Sequence, residues 1–203
     1  MEHAVLPKFS TRNGYMTKKI RTDYIASAIA KGVLPDDALE REDILSLTAS
    51  DDPAKPIQFW QLYSVLGQEP IVRIVHDFYQ RVFEQEDWFT SVFERVGGIN
   101  HHIHTQASMW VDVMGGGPYY HGAEFRLNFH HTHNAMQLMT DAGATLWSQL
   151  MVDTLNETCP EVIDDPRVRP SLNTFLSFFM SKYAEDFRFQ TLDFFQNTNP
   201  RYR

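Results

Sequence analysis

From residue 57 onward apolar residues return every three or four positions, the spacing of helices that bury one face. Phe59, Trp60, Tyr63 and Leu66 share a face that Gly67 ends. Pro70 suits a first helical turn, and Ile71, Ile74, Val75, Phe78, Tyr79 and Val82 then form one continuous stripe. Trp88, Phe89, Val92 and Phe93 crowd a short helix predicted over Glu86 to Val96, closed by Gly97-Gly98. A further helix is expected from Ile99 to Met114, stopped by Gly115-Gly116-Gly117-Pro118. Thr140-Asp141 reads as a cap for Ala142 to Leu155, with Leu146, Trp147, Leu150, Met151 and Leu155 facing inward. Residues 156 to 166, with Pro160 and Pro166, read as a loop, and Pro170 opens a last helix carrying Leu172, Phe175, Leu176, Phe179, Met180 and Tyr183. No stretch alternates as a strand would, so the expected fold is all-α.

Ahead of this block the pattern is weaker. Residues 1 to 21 are mixed and mildly basic, Tyr24 to Lys31 reads as a short helix ended by Gly32, and Asp36 to Leu47 repeats the pattern. The acidic, proline-bearing stretch Ser50 to Pro56 reads as a linker. The expected organisation is an N-terminal extension over 1–55 that docks as two short helices, a main domain over 56–190, and a loosely held tail over 191–203.

Composition narrows the function classes. A chain of 203 residues can bury one substantial core, and the 13% aromatic content, fifteen Phe included, suggests a core that lines large flat surfaces. A formal net charge of -8 and the lack of any long basic run argue against nucleic acid as a partner. No run approaches the roughly 20 apolar residues needed to span a membrane. The single cysteine, Cys159, cannot form an internal disulfide, and the first residues lack a signal-peptide pattern, so a cytoplasmic protein is expected.

Candidate chemistry concentrates between residues 99 and 147, which hold seven of the nine histidines. His102, Gln106, Met109 and Val113 fall on one helix face, an odd mixture for a plain core, because each unpartnered buried polar group costs about 1 to 3 kcal/mol. Tyr79 places a phenol on an otherwise apolar stripe, where it needs either a backbone acceptor or a polar pocket. His130, His131 and His133 precede the capped helix at Thr140. Neutral imidazole ligates metals, including haem iron.

The order of these signals resembles the truncated haemoglobins. Leu62 to Gly67, then Ile71, Val75 and Phe78-Tyr79-Gln80-Arg81-Val82, then Phe93, Gln106, Gly116-Gly117-Pro118 and Tyr120 follow the family's pattern over roughly residues 57 to 187. The resemblance implies a two-over-two helical sandwich holding a haem b, here with an N-terminal helical extension. By position, Tyr79 resembles the distal tyrosine that donates a hydrogen bond to the gas ligand, and Gln106 the distal glutamine. His102 matches the distal gate position, Phe93 the aromatic at the haem edge, and Trp147 the tryptophan at the back of the pocket. For the proximal iron ligand the family's interval to Trp147 favours His133, with His131 as rival because Arg126 to His131 is similar to the run before the ligand in one subfamily. The chain departs from the pattern at Thr105, where many members carry a basic residue for a haem propionate; Arg126 or His104 is the substitute.

The function expected from the resemblance is binding of oxygen and other diatomic gases, nitric oxide among them, with redox chemistry on nitric oxide or peroxide as an extension that would need a reductase. Donors in a dry pocket favour tight oxygen binding over oxygen transport. Enzyme status and a homodimer are left open. The rival reading is a non-haem metal protein using two HHxH clusters, His101-His102-Ile103-His104 and His130-His131-Thr132-His133. A third is a helical interaction module with a pocket filled by side chains.

Overall fold

The computed structural model describes residues 16–120, 129–190 and 194–195. All regular structure among them is helical: α1 (Met16–Ala30), α2 (Glu42–Leu45), α3 (Leu62–Leu66), α4 (Gln68–Phe83), α5 (Asp87–Arg95), α6 (Gly98–Val113), α7 (Asp141–Val162) and α8 (Val168–Phe187). Short tight turns at Phe59–Gln61 and Met136–Leu138 and one wide π-helical turn at His130–Asn134 complete it.

α4 is the central element because its stripe is the most regular. Ile71, Ile74, Val75, Phe78, Tyr79 and Val82 are all buried, and the helix packs against both α6 and α7. α5 adds Phe89 and Phe93 against α6. α7 starts where Thr140 accepts a hydrogen bond from Gly143 N at 3.2 Å, the cap that the threonine predicts. The result is an all-α fold in which α4, α5, α6, α7 and α8 all contribute side chains to one cavity.

Three elements differ from the sequence expectation. α1 begins at Met16, not Tyr24, because Met16, Thr17 and Ile20 are buried, and the Thr17 hydroxyl donates to the carbonyl of Asp112 at the far end of α6. Tyr24 meets Phe59, Trp60 and Phe178 edge-on at 5.1, 5.8 and 5.5 Å, so α1 closes the core. Over 36–47 only Glu42–Leu45 is α-helical. There the Trp60 indole donates to Ile44 O, and the Gln61 amide donates to the carbonyls of Asp43, Ser46 and Thr48, so side chains take the acceptors that helix would use. α7 runs through Pro160 to Val162 instead of ending at Leu155, carried by burial of Leu155, Thr158 and Cys159.

Gly143 sits inside the first turn of α7, and a Cβ there would collide with the carbonyl of Leu138. Helix propensity alone says Gly143→Ala should stabilise by about 1 kcal/mol. The collision reverses the sign: we expect a loss of about 1 to 3 kcal/mol in denaturant unfolding.

Candidate functional site

The cavity between the helix layers contains about 840 Å³ of atom-free space, its mouth included. Its walls come from every element of the sandwich: Tyr79 of α4, Phe89 and Phe93 of α5, Gln106, Met109 and Trp110 of α6, Ala144 and Trp147 of α7, and Phe175, Phe179, Met180 and Tyr183 of α8. His130, His131, Leu138 and Met139 close one end. The lining is dominated by flat and soft side chains, which suits a planar aromatic occupant.

Tyr79 is 4% exposed, and its ring lies between Phe78, Phe93 and His102. Burial drives its phenol well above the usual range, with the nearby Tyr120 phenol adding to the shift, so the hydroxyl stays a neutral donor. No acceptor among the described residues meets that hydroxyl, and the same is true of the Gln106 amide and the Trp147 indole N–H. Buried donors are ordinarily partnered, so the buried Tyr79 hydroxyl, with the half-buried Gln106 and Trp147 donors lining the same cavity, marks a place where something else can accept from them. The indole of Trp147 is held 5.0 Å from Phe78.

His102 is placed beside the site rather than in its wall. Its Nε2–H donates to Phe93 O at 2.8 Å, and its ring stacks on Tyr79 with centroids 5.4 Å apart. Burial pushes its pKa below the ordinary imidazole value, which keeps the ring neutral.

The histidine turn separates its members. His131 is 8% exposed, lines the cavity and lies 4.3 Å from the Tyr183 ring. His130 also lines the cavity, with its ring 6.3 Å from that of His102. His133, preferred from the sequence as iron ligand, is exposed instead: it stacks on Phe129 at 4.2 Å, and its Nδ1 lies 2.7 Å from the Thr132 hydroxyl. Residues two apart lie on roughly opposite faces of a helical turn, so when His131 faces the cavity His133 faces away. Arg126 lies outside the described residues.

The two HHxH runs do not assemble a second centre. His101 and His104 are exposed while His102 is buried, and no group of three or more His, Cys, Asp or Glu among the described residues is placed to hold a metal ion.

A family model described as bacterial-like globin matches residues 61–180, well over half of the chain. The chain belongs to the bacterial-like globin family. Membership implies haem binding with a diatomic gas, oxygen included, as ligand, and the cavity of this globin fits that group: an aromatic slot, imidazoles at one end, and donors left over along its wall. No curated protein matches the globin chain. No helix among its described residues is long and apolar enough to cross a membrane.

Sequence reasoning passed over several functional side chains. Phe175, Phe179 and Tyr183 read as ordinary core, and only the fold shows that they face a cavity. Phe189, next to the end of the expected main domain and not singled out from the sequence, is buried in the cavity wall. Asp112 was not singled out, although a lone carboxylate in the apolar run Trp110-Val111-Asp112-Val113 was a visible signal. It is 1% exposed, and burial pushes its pKa up to about 6 against the opposing effect of hydrogen bonds from Tyr119 N and Tyr120 N.

Because the folded value lies above the unfolded one, the native state binds a proton more tightly between about pH 4 and 6, and this group's stabilisation is lost as pH rises through 6. Unfolding free energies from pH 4 to 7 should show the globin losing up to about 3 kcal/mol relative to Asp112→Asn. Parallel curves would contradict this.

Proposed function

We propose that the cavity holds a haem b and that this globin binds oxygen and other diatomic gases tightly in the cytoplasm. The observation that carries the reading is the set of three unspent donors, Tyr79 hydroxyl, Gln106 amide and Trp147 indole, on a cavity that also receives imidazoles from the His130–Asn134 turn. A haem held there would supply an iron able to bind a histidine imidazole and a diatomic gas.

Each residue then has a definite task. An imidazole of the 130–133 segment is the iron ligand, and the geometry favours His131, which is buried beside Tyr183, over the exposed His133. Tyr79 supplies the main donor to the gas, because burial keeps its proton in place and no acceptor among the described residues takes it. Gln106 and Trp147 add donors, and the aromatic walls from Phe89, Phe93 and Phe179 exclude water, which strengthens each donor's effect on a ligand that carries partial negative charge. His102 supports Tyr79 by stacking while its N–H stays donated to Phe93 O. Turnover of nitric oxide or peroxide would draw electrons from a partner reductase, and Arg126 is the proposed propionate contact.

Alanine replacements, one at a time, test the ligand. His131→Ala should abolish haem retention through purification while His133→Ala keeps it. Loss with His133→Ala alone would return the ligand role to His133 and show that the turn rewinds on haem binding; retention in both variants would sink the assignment to this segment. Tyr79→Phe should speed oxygen dissociation at least about tenfold, the equivalent of about 1.4 kcal/mol. A change of less than about twofold would remove Tyr79 from the donor role.

A further inference from the structure

The last turn of α6 contains a buried carboxylate that the gas-binding reading does not use. Asp112 accepts hydrogen bonds from two successive backbone amides, Tyr119 N and Tyr120 N, the latter at 2.6 Å. Among the described residues only those amides offset its burial, and no lysine or arginine there draws its pKa down. A carboxylate so placed carries an uncompensated desolvation cost that a smaller apolar residue would avoid. What it does in return is geometric. Two oxygens can accept from two adjacent N–H groups at once, whereas an amide side chain would turn an NH₂ toward one of them.

The place of this clasp gives it meaning. After α6 the chain reverses over Gly115, whose Cβ position is filled by the carbonyl of Trp60, and Gly117, at φ +116°. Tyr119 and Tyr120 are the first residues after that reversal, and Tyr120 is itself 2% exposed. From Tyr120 the chain proceeds to the turn that brings His130 and His131 to the cavity. α6 meanwhile carries Gln106, so one helix holds a cavity donor and, at its end, the anchor from which the histidine segment departs.

We propose that Asp112 is a positioning residue for the iron-ligating segment: by pinning Tyr119 and Tyr120 to the end of α6, it fixes where the path to the histidine turn begins and thereby holds the imidazoles in register with the cavity. The proposal rests on the haem reading for its consequence, not for its geometry. Thr17 belongs to the same junction but grips the backbone carbonyl of Asp112 rather than the segment, so it provides a control that perturbs the junction without touching the clasp.

The test compares wild type, Asp112→Asn and Thr17→Val as full-length chains. Transfer of haem to an excess of a haem-scavenging protein should be about tenfold faster for Asp112→Asn, the scale of effect seen when groups behind a metal ligand are removed, with an altered ligand-field spectrum. Thr17→Val should lower thermal stability and leave transfer rate and spectrum unchanged. Hydrogen exchange provides a readout independent of haem: in haem-free chains Asp112→Asn should lose protection at 119–120 and across 129–134 while α4 stays protected. Haem loss and spectrum unchanged in Asp112→Asn, or protection falling evenly over all helices, would overturn the proposal. If wild type retains no haem at all, the haem reading fails, and the exchange pattern still decides whether Asp112 positions the segment.

Discussion

A cavity kept open inside a helical sandwich forgoes packing, and hydrogen-bond donors left unmatched on its wall add a further cost of about 1 to 3 kcal/mol each. In this globin the hydroxyl of the buried Tyr79 meets no acceptor among the described residues, and the half-buried Gln106 amide and Trp147 indole line the same cavity. A sequence under no other demand would fill the space with leucine and spend the donors on carbonyls. The fold is arranged to tolerate the expense: α4 packs on α6 and on α7, α5 inserts Phe89 and Phe93, and α1 seals the far side through Tyr24 and Thr17. The aromatic walls are what remain when such a space is held open for a flat occupant.

The same arrangement separates two kinds of polar residue. His102 and Gln61 have their hydrogen-bonding groups committed to backbone carbonyls, Phe93 O for the first and the carbonyls of Asp43, Ser46 and Thr48 for the second, and they act as struts. Asp112 is likewise committed, to the amides of Tyr119 and Tyr120. On the cavity wall the Tyr79 hydroxyl, the Gln106 amide and the Trp147 indole have no such commitment among the described residues. That division, visible only with side chains in place, is the strongest link between this particular fold and the gas chemistry that its family implies.

Much of this was legible beforehand where one helix face decides the matter. The α4 stripe and the Thr140 cap could be read directly, because 3.6-residue spacing and local capping involve neighbours in the chain. Tyr79, Phe93, Gln106 and Trp147 were picked out together and do converge on one cavity. What could not be read depends on distant partners or unusual winding. The start of α1 at Met16 is set by contact with α6, ninety-five residues away at Asp112, and the helix of 36–47 gives way to side-chain donors from Trp60 and Gln61. The histidine turn is the clearest case: an interval counted along the chain favours His133, but the packing of the turn against Tyr183 decides which imidazole faces inward, and it is His131.

The central claim is that the donor-lined cavity is the seat of a single haem. The most direct measurement is a titration of the full-length, haem-free chain with haemin, followed by absorbance and by quenching of tryptophan emission. The account predicts a Soret band that saturates at one equivalent and stays with the protein through gel filtration, with emission quenched in parallel because Trp110 and Trp147 line the cavity. A non-saturating absorbance that is stripped from the protein on the column, with emission unaffected, would contradict it.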